Sequence, residues 1–456
     1  DGSALPQTAQ RVEKQVVIPV MDTEGAAIIL PTDYQPQTVG MKAYQLAKLD
    51  RREMVEGERA AQHVTLGFSL YQQILKRRGN RGMAREIQAL MGRLQTGGLA
   101  AEDVRGILKE LREKIESLRI PRDVLREIHR GIVGNVGKGL VFLRSSTNAE
   151  DLPDYAGAGL YDSYGAVNPQ DLKMLEFYIK KVWASVWNER AYEDRALHGI
   201  PHETVGMAVL VQEMVPSDYS FVIHTRNPFG DGDADEMLLE LVQGLGEALV
   251  SGAEEYEGSP HRFAYHRRTG VIRVLSYADK DHRLVSRGGW LVRETTNYAD
   301  DFFVHESPER NDVLAKIFQS ALRVEASFAG QSQDIEGALV RPAYGEAAPG
   351  GLVRVFLQSR NQQGVAETPL PAIAAIEEMA TTSADPSATA PGGIDFDPSR
   401  INLQTRGQGW NFDVPLDLQN FSTIPFDGLE PVMLEMLPVD LRLLLGVSEI
   451  ATETSG

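Results

Sequence analysis

Four separated segments carry side chains that could handle a polyanion and a hard cation. Lys42 follows Gly40 at the start of a stretch whose apolar positions Tyr44, Leu46, Ala47 and Leu49 suit a helix. That puts an ammonium group in a first helical turn, where backbone N–H groups also face an anion. Arg144 ends the apolar run 140–143, beside Ser145 and Ser146. A planar guanidinium there can grip phosphate oxygens in bidentate fashion. Gln212-Glu-Met-Val215 closes a second apolar run and could supply an edge for adenine. Asp334-Ile-Glu336 and Gln358-Ser-Arg360 lie on two neighbouring strand-like runs. Strand alternation places Asp334 with Glu336 on one face, and Gln358 with Arg360 on one face. Two carboxylates, an amide and a guanidinium turned to one cavity suit Mg²⁺ bridging phosphate oxygens, with an arginine to neutralise developing charge.

Each segment alone has a blander meaning. Asp-x-Glu on a strand is more often a solvated face, and a lone strand-end arginine is more often a surface ion pair. Their order along one chain is what gives them weight. Other motifs fail on chemistry. Gly134-Asn-Val-Gly-Lys-Gly139 has the wrong glycine spacing for a phosphate-cradling loop, and Gly139 stands where Ser or Thr must meet magnesium. Asp231-Gly-Asp-Ala-Asp235 starts like a calcium loop, but its sixth position is Glu236, not glycine. His198 and His202 have metal-ligand spacing, yet Gly199 and Pro201 break the helix that would align them.

The positioning elements follow from periodicity. Residues 15–19 read as a short strand, and 84–133 as a charged, outward-facing helical hairpin through Val104, Ile107, Leu108, Leu111 and Ile115. A long helix is expected over 170–198, with Trp183 and Trp187 as core. Strands are expected at 205–215, 221–224, 236–242, 271–276, 290–294, 335–340 and 352–358. Ser307 and Pro308 open a helix that Gly330 stops. After residue 364, Ala, Thr, Ser and Pro dominate to Pro391 and read as a linker, followed by a small appendage.

The totals exclude several classes. A length of 456 residues allows two or three domains. The net charge of -18 argues against a nucleic-acid partner but leaves room for a local cationic cluster. Without cysteine there is no disulfide framework, no thiol nucleophile and no cysteine zinc site, which fits a reducing cytoplasm. No apolar run reaches the length of a membrane span. The start at Asp1, with no Met and no signal-peptide core, suggests a chain cut from something longer.

Taken together, the wording of these segments is that of a known family. Arg144-Ser-Ser-Thr-Asn-Ala-Glu-Asp-Leu152 and Tyr155-Ala-Gly-Ala-Gly-Leu-Tyr-Asp-Ser163 resemble the nucleotide-binding domain of glucan water dikinases. Phe221-Val-Ile-His-Thr-Arg-Asn-Pro228 with Gly244-Leu-Gly-Glu247 does too. Gln333-Asp-Ile-Glu336, Leu357-Gln-Ser-Arg360 and Val39-Gly-Met-Lys42-Ala43 are similar to motifs shared with phosphoenolpyruvate synthase and pyruvate phosphate dikinase. The resemblance covers roughly residues 36 to 362. It implies an α+β, ATP-grasp-like two-lobed domain, here with a helical insertion and the C-terminal appendage. The lobes would span 36–205 and 206–363, after an extension over 1–35 and before a linker (364–393) and the appendage (394–456).

The same resemblance assigns roles by motif position. Lys42 and Arg144 would bind phosphates, and Gln212, Glu213, Met214 and Val215 would hold adenine. Glu336 and Gln358 would coordinate Mg²⁺, with Asp334 supporting and Glu240 a weaker candidate. Arg360 would contact the β- and γ-phosphates, so Arg144 and Arg360 are the expected catalytic groups. In such dikinases the β-phosphoryl group of ATP passes to a histidine on a separate swivelling domain, then to an acceptor, with release of AMP and phosphate. The carrier signature, Gly-Gly followed shortly by Ser/Thr-His, does not occur in this sequence: Gly289 is followed by Trp290 and Gly393 by Ile394. The expected partner is therefore a carrier-histidine domain on an upstream segment or a second chain, with an α-glucan as acceptor. Pyruvate as acceptor, or a non-catalytic ATP-binding regulator, are the alternatives.

Overall fold

The computed structural model describes residues 16–362, apart from residues 53, 97, 153–154, 158, 229–234, 247–248, 250–257, 289 and 343–350. Most of the expected 1–35 extension is described only from residue 16. The linker, the appendage and all but Asp235 of the calcium-like run lie outside the described residues.

The chain mixes helices and sheets. Residues 16–19 make no strand. Val16 and Ile18 pack against a core instead, and Pro19 has no N–H to offer a ladder. The first strand is β1 (Ile28–Ile29), followed by a short α1 (Pro36–Val39) and α2 (Met41–Arg51). Gly40 separates the two helices with φ of 79°. A Cβ there would collide with the backbone carbonyl of Ser146, so only glycine allows α2 to begin this close to that strand. Next come β2 (Glu58–Ala60), β3 (His63–Leu66) and α3 (Phe68–Lys76).

The charged stretch forms three helices where two were expected: α4 (Arg81–Gln95), α5 (Ala101–Glu116) and α6 (Arg122–Asn135). They do not simply face outward. Ile87, Leu90, Ile107, Leu111, Ile128 and Ile132 are all buried in the core that also covers the first sheet. Strand β4 (Val141–Thr147) runs four residues past the apolar stretch, so Arg144 lies mid-strand and not at a strand end. It continues because Ser145, Ser146 and Thr147 keep pairing with the neighbouring strand. After β5 (Tyr164–Val167), the expected long helix divides into α7 (Leu172–Ala184) and α8 (Glu189–Leu197), with a tighter turn at Ser185–Trp187 between them. Trp183 and Trp187 are core residues as expected. His198 caps α8, and His202 accepts from Arg195 Nε at 3.2 Å, which fits a helix-ending loop.

With β6 (Met207–Glu213), the strands β1-β3-β6-β4-β5 form an antiparallel five-stranded sheet. The later strands are β7 (Tyr219–His224), β8 (Glu236–Gln243), β9 (His261–His266), β10 (Ile272–Ser276), β11 (His282–Arg287) and β12 (Trp290–Thr295). Helix α9 (Pro308–Ser327) then precedes β13 (Gln333–Val340) and β14 (Val353–Asn361). Ser307 Oγ accepts from Arg310 N at 3.1 Å, the N-cap read from the sequence.

The second sheet has seven strands in the order β10-β9-β8-β7-β13-β14-β2, and β11–β12 is a separate ribbon. The expected boundary at 205/206 needs correction. Strand β6 belongs to the first sheet, so the chain crosses between sheets over residues 214–218. Conversely, β2 from the first half pairs in parallel with β14. Ile335, Phe221, Leu239 and Phe356 pack with α9 and α2 on one face of the second sheet. The opposite face, carrying Asp334 and Glu336, is left to meet the first sheet. Among the described residues, no helix is long and apolar enough to cross a membrane.

Candidate functional site

The site starts where α2 meets β4. Ser146 Oγ donates to Val39 O at 2.7 Å and accepts from Ala43 N at 3.1 Å, pinning the first turn of α2 to the strand. That occupies one of the amides expected to face an anion. Lys42, 2% exposed, donates to Ser145 Oγ at 3.2 Å and forms an ion pair with Glu150 Oε1 at 2.8 Å. Gln45, one turn on, donates to the carbonyl of Asp151 at 3.2 Å.

Arg144 joins the two sheets. Its guanidinium donates to Gln212 Oε1 on β6 at 3.0 Å and to Glu336 Oε2 on β13 at 3.2 Å. Gln212 Nε2 in turn donates to Leu357 O on β14 at 2.7 Å. The register of β13 and β14 sets Glu336 opposite Gln358 and Asp334 opposite Arg360. Arg360 donates through both Nε and Nη2 to Asp334 Oδ2, at 2.9 and 2.7 Å. The four side chains expected on one face therefore do stand on one face.

The polar atoms left over fit a bound phosphate and cation. Gln358 is 2% exposed, and neither its amide oxygen nor its nitrogen has a hydrogen-bond partner. The same holds for Asp334 Oδ1, Glu150 Oε2 and Asp151 Oδ2. Buried polar groups are rarely left unsatisfied, so these atoms have hydrogen-bonding or ligating capacity to spare. Among the described residues, no three His, Asp or Glu stand close enough to hold a metal ion unaided. The oxygens of Asp334, Glu336 and Gln358 are hard donors, as Mg²⁺ prefers, and phosphate oxygens would have to complete its shell.

Beside this polar end lies an open cleft. Phe142, Arg144, Gln212 and Glu213 of the first sheet contribute to its walls, together with Val222 and Glu336 of the second sheet and Val215 and Leu245 just beyond strands β6 and β8. Of the segment expected to hold adenine, Met214 is the exception: it does not line the cleft, and its N–H is taken by Leu140 O at 3.0 Å. Glu213 lines the cleft while its carboxylate pairs with Arg59 and accepts from Gln62 N. Glu240 is bound to Arg262 at 2.6 Å.

Burial and pairing set the charge states. Burial pushes Asp334 up, but Arg360 and then His224 outweigh it and hold its carboxyl below the ordinary range. Burial pulls Arg360 down, yet Asp334, Asp151 and Glu336 more than restore its proton affinity. Asp151 behaves oppositely. Burial first, then the charge of Glu150, push it up to about 7, against the pull of Lys42 and Arg360.

The sequence profile described as "Pyruvate phosphate dikinase, AMP/ATP-binding domain" matches residues 36–380. The chain belongs to this dikinase AMP/ATP-binding family. Among its relatives in the dikinase family, the chain is 28% identical over 341 residues to the chloroplastic alpha-glucan water dikinase of Solanum tuberosum. That match covers 69% of this chain and 21% of the relative. The rifampicin phosphotransferase of Streptomyces sviceus is 32% identical over 52% of this chain and 26% of its own length. A probable phosphoenolpyruvate synthase of Pyrococcus horikoshii is 30% identical over 50% of this chain and 28% of its own. The dikinase-family chain thus spans about a fifth to a quarter of these relatives.

Two features of the site were not singled out from sequence. The Glu150–Lys42 pair joins residues 108 positions apart, which no local pattern reveals. The cleft wall from Phe142 and Leu245 is apolar and reads as ordinary core. The one available signal was Glu150-Asp151 itself, two adjacent acids directly after the small, neutral residues 145–149.

Proposed function

We propose that this chain is the ATP-binding half of a dikinase, with an ATP-grasp-like arrangement in which nucleotide lies between the two sheets. The observation that carries the reading is the clustering of Lys42, Arg144 and Arg360, from α2, β4 and β14, around Glu150, Asp151 and Glu336, beside the cleft that Arg144 lines. The residues of this cluster, with Gln358 beside Glu336, include buried polar atoms that make no hydrogen bond. Adenine occupies the apolar cleft beside Gln212, Glu213 and Val215. The triphosphate reaches toward Lys42, Arg144 and Arg360, which exchange carboxylate partners for phosphate oxygens. Glu336 and Gln358 would hold Mg²⁺, with Asp334 supporting. When bound, that ion supplies charge neutralisation across the phosphate oxygens.

The chain's own residues then do three things. Lys42 and Arg360 fix the phosphate chain in position, which converts an encounter into an oriented reaction. Arg144 and Arg360 stabilise charge that develops as the bridging oxygen leaves. The walls of the cleft limit access of water to the bound nucleotide. A histidine on a separate carrier domain attacks the β-phosphorus and displaces AMP, and water then cleaves the β–γ bond, which releases phosphate and leaves the β-phosphoryl group on the histidine. An α-glucan is the preferred acceptor, because Tyr155–Ser163 and Phe221–His224 have the wording of the glucan branch. Pyruvate is the runner-up. A cytoplasmic location is part of this reading.

The test is transfer of label. The chain is mixed with a carrier-histidine domain of this family and with ATP labelled at the β-phosphorus. Label on the carrier's histidine supports the reading. Nucleotide binding with no label on any carrier tested would reduce the chain to a nucleotide-binding regulator.

A further inference from the structure

The loop after β4 holds a carboxylate that the proposed phosphate transfer does not use. At the phosphate end, each cation already has one carboxylate: Lys42 has Glu150 at 2.8 Å, Arg144 has Glu336 at 3.2 Å, and Arg360 has Asp334 at 2.7 Å. Asp151 is a fourth carboxylate beside these three pairs. It is 5% exposed, and its Oδ2 has no hydrogen-bond partner. Its backbone, by contrast, is fully engaged, with N–H to Ala156 O at 2.8 Å and the carbonyl accepting from Gln45 Nε2. The residue is also held at φ of 53°, a conformation that non-glycine residues adopt sparingly. Strain, burial and an unused oxygen coincide at one residue, and such coincidences gather at working sites.

An ionised carboxylate left over in such a place is costly, and a triphosphate brought beside it would add repulsion. A carboxylic acid is not: it is neutral and has one O–H to donate. The groups around Asp151 point the same way. Glu150 in its own loop and Glu336 on β13 disfavour its charge, while Lys42 on α2 and Arg360 on β14 favour it. Those two cations are the ones a phosphate chain would draw toward itself. Tyr155 and Tyr161, from the following loop, are both kept neutral by burial.

We propose that Asp151 is protonated in the nucleotide complex and donates its carboxylic O–H to a phosphate oxygen, so that nucleotide binding takes up one proton at this residue. The proton comes from solvent, one O–H bond is formed, and no other bond changes. This inference rests on the reading that a triphosphate enters this cleft. Affinity is insensitive to pH where Asp151 is already protonated and falls as pH rises above that point.

Calorimetric titration of Mg·ATP into the whole chain, above the pH at which the nucleotide itself is fully ionised, tests this. Repeating it in buffers of different ionisation heat counts protons taken up. Wild type should take up close to one proton and lose affinity up to about tenfold per pH unit. Asp151→Asn cannot titrate, keeps an N–H donor, and suits the left-handed backbone because asparagine tolerates it. It should bind with a flat pH profile and no proton uptake. Zero uptake by wild type, or an Asp151→Asn profile as steep as that of wild type, overturns the inference while leaving nucleotide binding intact. Absence of any binding by wild type overturns the nucleotide reading, and this inference with it.

Discussion

Arg144 on β4 reaches Glu336 on β13 at 3.2 Å, so a single guanidinium bridges the five-stranded and the seven-stranded sheet. Both side chains are nearly withdrawn from water, at 5% and 13% exposure. The same guanidinium holds Gln212, whose amide holds the backbone of β14. The guanidinium proposed to meet phosphate thus also ties together the two walls of the cleft.

Replacing Arg144 by Met should therefore damage two things at once. It leaves Glu336 and Gln212 facing a buried gap, and breaking a buried pair from one side costs about 3–5 kcal/mol. Chemical denaturation should report a loss of that order. Mg·ATP affinity should fall with it, beyond what a Gln212→Ala change does alone. A variant with unchanged stability would show that the inter-sheet bridge is not a strong constraint.

Gly40 sets the position of Lys42. Its φ of 79° and the closeness of Ser146 leave no room for a side chain. Gly40→Ala should cost at least about 1–3 kcal/mol and lift the start of α2 from β4. Lys42 would then leave Ser145 and Glu150. Thermal denaturation and nucleotide affinity should both worsen. A substitution without effect on either would mean that the first turn of α2 is not held as described.

Much of the scaffold could be read from the sequence, because long apolar runs and strong caps leave local marks. The strands around Val209, Ile223 and Leu239, and the helix opened by Ser307, are of that kind. What could not be read was membership. The run 205–215 looks the same whichever sheet it joins, and β6 joined the first. Short strands such as Glu58–Ala60 and His63–Leu66 have too few residues to show alternation. The site divides in the same way. Asp334, Glu336, Gln358 and Arg360 share a face because strand period and pairing require it. The partner of Lys42 is set by a loop 108 residues away, a tertiary fact with no local trace.

Acid should weaken the fold through carboxylates whose folded values lie below the ordinary range. Asp334, buried but held by Arg360, is one, and Glu58, buried but held by Ser320, Arg52 and Arg323, is another. A depressed folded value means stability that is present above the unfolded carboxylate range, near about 4. It is lost as pH falls through the folded values. In Asp334→Asn, denaturation midpoints measured from neutral pH downward should fall less steeply than in wild type. An identical acid limb would mean that the Arg360 pair adds no pH-dependent stability.

Arg360 is the group whose removal should separate binding from chemistry. Arg360→Ala should lower transfer of the β-phosphoryl group to a carrier domain by about 10²–10³-fold, the scale of losing one preorganised charge. Nucleotide affinity should fall far less, since Lys42 and Arg144 remain. Rapid-quench measurement of transfer, beside calorimetry on the same variant, checks the split. Wild-type rates in Arg360→Ala would remove it from the mechanism.

The central claim is that one Mg·ATP is held in the cleft between the two sheets by Lys42, Arg144 and Arg360. Calorimetric titration of Mg·ATP into the wild-type chain and into Lys42→Met tests it most directly, with circular dichroism confirming that both are folded. The account predicts saturable one-to-one binding to wild type and a loss of at least about tenfold in the variant, the worth of one charge-assisted contact. No heat of binding at millimolar Mg·ATP, or equal affinity for both proteins, would contradict it.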